Sequence, residues 1–180
     1  MSDPAQAQEL RIRAATPRDV GLLLELLGEL AEYERLAGEV RATEELMARA
    51  LFGERPAAEA LIAELGAQTA GYALFYPTFS TFLAIQGVWL EDLFVRPSCR
   101  RSGVGKALLA AVAALTRERG GERLEWSALD WNELALDFYE GIGARRMDEW
   151  VTHRLIGEQL AQLATQAPPP PAAGGSSTRR

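Results

Sequence analysis

Residues 88–129 constrain the fold more than any other part of the chain. A strand-like run (VWLEDLFV, 88–95) ends at Pro97, and a basic, glycine-containing turn follows, Arg100-Arg101-Ser102-Gly103-Val104-Gly105-Lys106. A helix then carries Val104, Leu108, Ala111, Val112 and Leu115 on one face, and Gly120-Gly121 stops it before a second strand over 123–129. Strand, helix and strand in this order form a β-α-β unit, which is parallel and right-handed. The same order has a chemical consequence. A strand feeding a glycine turn at a helix start presents amides without intrahelical acceptors at the positive end of the helix dipole, a site suited to phosphate.

The pattern alternates on both sides of this unit. Residues 10–15 read as a strand. Thr16 and Pro17 then open a helix whose apolar positions Val20, Leu23, Leu24, Leu27, Leu30 and Ala31 recur at helical spacing to about Leu36. A shorter helix is expected over 43–52. Strands over 58–65 and 70–79, with Gly66 and Gly71 between them, suggest a hairpin. After 123–129, Asn132 or Asp130 caps a helix with Ala135, Phe138 and Ile142 on one stripe and Gly143 at its end. Residues 150–156 are expected to be the last strand. The class is α/β: a central mixed sheet with helices on both faces, in three layers.

One domain over residues 10–164 follows, with a polar start at 1–9 and a Pro/Gly/Ser-rich tail at 165–180 that cannot bury a core. The net charge of −6 argues against a nucleic-acid partner. No apolar run approaches the roughly 20 residues of a membrane helix, so no membrane partner and a cytoplasmic location are expected. One cysteine and one histidine, Cys99 and His153, give no disulfide framework and no Cys/His metal site.

Three groups of residues could carry chemistry. Glu91 and Asp92 lie on the strand; strict alternation puts Glu91, Leu93 and Val95 on one face and Asp92 and Phe94 on the other. At the turn, Gly103 and Gly105 let backbone approach a ligand, and Arg100, Arg101 and Lys106 can screen phosphate charge. Asn132 and Tyr139, seven residues apart, share one helix face. A tyrosine there either packs as a core aromatic or donates a proton to a thiolate, and Asn132 either serves only as a cap or also flanks a ligand. Cys99 has no nearby histidine to activate it and is not read as a nucleophile.

Taken together, these pieces resemble the Gcn5-related N-acetyltransferase superfamily over residues 10–164. Arg100-x-x-Gly103-x-Gly105 is similar to its pyrophosphate turn. Residues 26–36 (LLGELAEYERL), 89–95 (WLEDLFV) and 129–144 (LDWNELALDFYEGIGA) resemble the diamine acetyltransferases, the spermidine/spermine and thialysine group. Polyamine enzymes place an acidic residue and a tryptophan in the loop before this strand, where this chain has Ser80 and Phe82, nearer the thialysine type.

The resemblance implies acetyl-CoA as cosubstrate and no metal. It implies that the turn from Arg100 and Arg101 through Ser102, Gly103, Val104 and Gly105 to Lys106 holds the pyrophosphate. Main chain at Leu93, Phe94 and Val95 would pair with the pantetheine arm, and Asn132 would touch that arm. Tyr139 would protonate the departing thiolate, and Glu91, directly or through water, would accept the amine's proton. Asp92, Tyr33 and Glu34 would attract a small cationic amine, and the protein would be a homodimer. Two alternatives stay open: an acetyltransferase acting on protein or peptide amines, and a non-catalytic acyl-CoA sensor.

Overall fold

A computed structural model describes residues 9–168 and divides the chain into two compact units, residues 1–129 and 130–180. The starting segment 1–8 and the proline-rich stretch from residue 169 onward, which hold most of the expected polar start and tail, lie outside the described residues.

The first unit is a five-stranded sheet in the order β1-β2-β3-β4-β5. Its strands are β1 Leu10–Ala14, β2 Glu59–Leu65, β3 Gln68–Ser80, β4 Ile85–Val95 and β5 Arg123–Glu125. The first four pair antiparallel and β5 joins β4 in parallel, so the sheet is mixed as expected. Helices α1 Val20–Tyr33 and α2 Glu44–Phe52 cover one face. Leu23, Leu26, Leu30 and Leu51 pack there against Ala60, Ile62, Tyr72 and Phe94. The intervening sheet residues Leu61, Ala63 and Ala73 point the other way and are buried too. Helix α3 Val104–Glu118 packs on that side through Val104, Leu108 and Val112, which gives the three layers.

Polar locks fix α1 to the sheet at both ends. At its start, a 3-10 turn over Pro17–Asp19 precedes the helix, and Thr16 donates from its N–H and hydroxyl to the Asp19 carboxylate (2.7 and 2.8 Å). The Arg13 guanidinium grips Asp19 with two bonds of 2.8 Å and donates to Glu64 at 2.7 Å. That bidentate pair holds the Asp19 carboxyl well below the usual range. Its stabilisation is therefore present at neutral pH and is lost only as strong acid protonates it. Toward the other end, Arg96, just after β4, donates to Glu29, Glu25 and the Thr69 carbonyl. This clamp sets the distance between α1 and the turn that follows β4.

Thr43 caps α2 by accepting the Leu46 N–H (3.2 Å), so the helix expected over 43–52 begins one residue later, at Glu44. Gly66 turns the β2–β3 hairpin with φ +61°. Gly71 is not part of that turn but lies inside β3, where an added Cβ would stand 2.1 Å from the Phe94 carbonyl oxygen. It allows the β4 backbone to approach.

The second unit contains α4 Glu133–Gly141 and α5 Gly157–Ala164. Asn132, not Asp130, caps α4: its Oδ1 accepts the Ala135 N–H at 3.3 Å. Two expectations fail in this region. Residues 150–156 form no strand, and α5 follows where no helix was read. An alternating apolar run becomes a strand only with a partner for its backbone donors and acceptors. Among its described residues the second unit has helices and no strand, and Trp150, Val151, Leu155 and Ile156 are exposed. The strand expected to 129 is also shorter, ending at Glu125. No helix among the described residues is long and apolar enough to cross a membrane.

Candidate active site

The site begins with an irregularity in β4. Register with β3 pairs Asp92 with Leu74 and then Leu90 with Phe75, so Glu91 is an extra residue on β4. Such a bulge breaks the alternation of faces. Tyr72 and Tyr76 lie four residues apart on β3 and share a face; the Tyr72 hydroxyl donates to Asp92 (2.9 Å) and the Tyr76 hydroxyl to Glu91 (3.3 Å). The Trp89 indole N–H also donates to Glu91, at 2.8 Å. Both carboxylates therefore occupy the α1 face of the sheet. This corrects the expectation that they point to opposite faces, which assumed a regular strand.

Their environments differ. Glu91 is exposed and held by the Trp89 indole and the Tyr76 hydroxyl, while Asp92 is half-buried beneath α1. Burial pushes the Asp92 carboxyl up to about 6; the charges of Glu91 and Glu34 add to this, and the Tyr72 hydrogen bond opposes it. Burial likewise raises the Glu34 carboxyl. Burial and the Asp92 charge carry the Tyr72 phenol far above its usual range. Glu34 and Asp92 line a common cavity of about 220 Å³, walled by Leu27, Leu30, Leu36 and Val40. A small apolar space with raised carboxyls beside it suits an amine with an aliphatic body.

The ladder between β4 and β5 covers only Gly87–Arg123, Val88–Leu124 and Trp89–Glu125. Beyond Trp89 the β4 strand runs on through Leu93, Phe94 and Val95 without β5 beside it. An extended arm with amide groups could pair along that edge as an added strand does. One group there is already engaged: the Arg100 Nε–H donates to the Val95 carbonyl at 3.1 Å.

The turn follows directly. Pro97–Cys99 form a 3-10 turn, and the Ser102 hydroxyl donates to the Cys99 carbonyl (2.5 Å). Arg101 and Gly103 both have left-handed backbone, φ +63° and +84°, and Gly103 is the residue from which α3 starts. No side chain caps the helix start, and the Ala107 N–H donates to the Gly103 carbonyl (3.0 Å), the first bond of the helix. The amides of Val104, Gly105 and Lys106 accordingly have no acceptor within the helix. Space lies open where a Gly103 Cβ would stand, whereas one on Gly105 would make ordinary contact with Val95. The two glycines thus differ: Gly103 is required by its backbone angle and Gly105 is not. A donor cradle at a positive helix end fits a pyrophosphate.

Tyr33, expected to attract the amine, and Arg100, expected in the pyrophosphate turn, come together: the guanidinium carbon stands 4.6 Å from the centre of the Tyr33 ring. Cys99 is buried and accepts a bond from the Gln68 amide (2.9 Å), in keeping with its reading as a non-nucleophile. Asn132 and Tyr139 stand in the second unit at the cap and in the last turn of α4, where Tyr139 packs obliquely on Phe138 with ring centres 5.3 Å apart. Trp89, Tyr72 and Tyr76 were missed as supports of the carboxylates. The alternation of Tyr72 and Tyr76 was visible in the sequence, but the register that faces them to β4 was not.

Residues 23–144 match the Acetyltransferase (GNAT) family. The chain is 36% identical to the thialysine N-epsilon-acetyltransferase of Bos taurus over 164 residues, covering 85% of this chain and 96% of that one. It is 34% identical to the L-ornithine N5-acetyltransferase of Arabidopsis thaliana, covering 83% and 86% respectively. Among solved structures, an integron cassette protein from the mobile metagenome of V. cholerae superposes with a TM-score of 0.72 at 27% identity, covering 86% of this chain and 97% of that one. With the sheet, the turn and these relatives in agreement, the chain belongs to the acetyltransferase (GNAT) family and is an N-acetyltransferase.

Proposed function

We propose that the protein transfers the acetyl group of acetyl-CoA to a primary amine of a small cationic substrate, of the diamine, polyamine or thialysine type, by direct attack within a ternary complex. The observation that carries this reading is the placement of Glu91 and Asp92 on one sheet face, the second of them lining an aliphatic cavity with Glu34. The thialysine and ornithine acetyltransferases among its relatives support it, since both names specify small amines.

In this reading the cosubstrate's pyrophosphate lies on the amides at the start of α3, beside Arg100, Arg101 and Lys106. Its pantetheine arm runs along Leu93–Phe94–Val95 with Asn132 against it. An ammonium ion has no lone pair to attack with, so it must first lose a proton. The Glu91–Asp92 pair takes that proton, directly or through water, and the Asp92 carboxyl, raised to about 6, has a basicity suited to this near neutral pH. The amine nitrogen then bonds to the thioester carbon, the carbon–sulfur bond breaks, and Tyr139 donates its phenolic proton to the thiolate. No covalent enzyme intermediate is involved. The same reading includes a homodimer in the cytoplasm, which sedimentation and fractionation would examine.

Replacing Tyr139 with phenylalanine is expected to lower kcat by roughly ten- to a thousand-fold while leaving acetyl-CoA affinity nearly intact. Unchanged turnover would remove Tyr139 from the role. The reading as a whole is tested by CoA release against diamines, polyamines, thialysine, ornithine, lysine and peptides. Turnover of a small amine is expected. Turnover of peptides alone would move the activity to protein amines, and binding of acetyl-CoA with no release by any amine would make the protein a sensor.

A further inference from the structure

The cavity beneath the end of α1 contains a charge that a simple diamine does not need. Glu34, Glu39 and Asp92 line it, as does Arg41. The Arg41 Nη1 donates to the carbonyls of Gly38 (2.7 Å) and Val40 (3.2 Å) within the loop after α1, which fixes the direction of the guanidinium. Among the described residues it forms no ion pair, although three carboxylates line the same space. An arginine so placed weakens the attraction of the site for a second ammonium and leaves donors facing solvent for a carboxylate. The cavity volume corresponds to about seven waters at roughly 30 Å³ each, the scale of one amino acid head group with part of its stem.

Resting on the small-amine reading, we propose that Arg41 is the residue that selects a free diamino acid over the matching diamine. Arg41 binds the α-carboxylate, Glu34 receives the α-ammonium, and the aliphatic wall of Leu27, Leu30 and Val40 covers the stem. The side-chain amine is then left at the Glu91–Asp92 end for acetylation. A diamine presents an ammonium where the diamino acid presents a zwitterion, so Arg41 disfavours the first and favours the second.

The test compares two matched pairs that differ only in the carboxylate: L-ornithine with 1,4-diaminobutane, and L-thialysine with bis(2-aminoethyl) sulfide. Steady-state kinetics of the full chain should show kcat/KM about tenfold or more higher for each diamino acid, the size of one charge-assisted hydrogen bond. Arg41→Met should bring both ratios to within about threefold of unity, mainly by raising KM for the diamino acids, and Arg41→Lys should keep most of the preference. L-Ornithine should also raise the melting temperature of the native protein and not that of Arg41→Met. Because Arg41 is exposed, the variant should melt at the native temperature without ligand. Ratios that Arg41→Met does not move, or a native preference for the diamines, would overturn the assignment of Arg41 while leaving the small-amine reading in place. Absence of CoA release with every member of both pairs would overturn both.

Discussion

Replacing Gly103 with valine should eliminate acetyl-CoA binding. Gly103 holds φ +84° at the start of α3, a conformation that costs a β-branched residue about 1–3 kcal/mol. An added Cβ there would meet no other atom within 4 Å, so the space around it is open. Valine therefore acts twice, straining the cradle and standing where the pyrophosphate would rest. The expected result is loss of the acetyl-CoA thermal shift and a KM for acetyl-CoA raised roughly a hundred-fold or more, since several charge-assisted bonds fail together. Gly103→Asn separates the two effects, because asparagine tolerates left-handed backbone and still obstructs. It should fold normally and bind poorly. A full thermal shift in Gly103→Val would place the cosubstrate elsewhere.

The second large effect is expected at Asp92. Asp92→Asn should lower kcat/KM for the amine by about 10²–10⁴-fold, the range for loss of a general base. In the native enzyme kcat/KM should fall on the acid side with a limb near pH 6, because Asp92 protonates there and can no longer accept a proton. The limb should vanish in Asp92→Asn and persist in Glu91→Gln. The opposite pattern would give proton acceptance to Glu91. Stability should move the other way. Folding raises this carboxyl from 3.8 to about 6, so its favourable contribution is complete below the lower value and is lost as pH rises through the upper one. At pH 8 the ionised, half-buried group is a cost that asparagine removes. Asp92→Asn should therefore melt higher than the native protein at pH 8, with the difference shrinking toward pH 4.

Much of this was legible in the sequence because it is local. The short helix after Thr43, the stop after α3 and the basic turn are set by residues within a few positions of one another, and each is found where it was read. The strand expected over 150–156 shows the limit, since alternation names a face but supplies no neighbour to pair with. The orientation of Glu91 and Asp92 failed for a related reason. A bulge exists only relative to the opposing strand, and nothing within residues 88–95 marks Glu91 as the unpaired one. Tyr33 illustrates a third gap: helical periodicity places it at the end of α1, but only the Arg96 clamp and the return of the chain after β4 bring Arg100 to its ring.

The bulge also bears on how such a site can be altered. Its effect is one of counting: a single supernumerary residue brings two neighbouring carboxylates to the same side, where one stands in solvent and the other under a helix. Point substitution can change the chemistry of either position but cannot reproduce that side-by-side geometry on a regular strand. Deleting one residue would restore the even rhythm of β4 and turn one acid toward α3. The proton-handling end of this protein is therefore encoded by strand length as much as by residue type, and redesign that preserves every side chain but not the count would lose it.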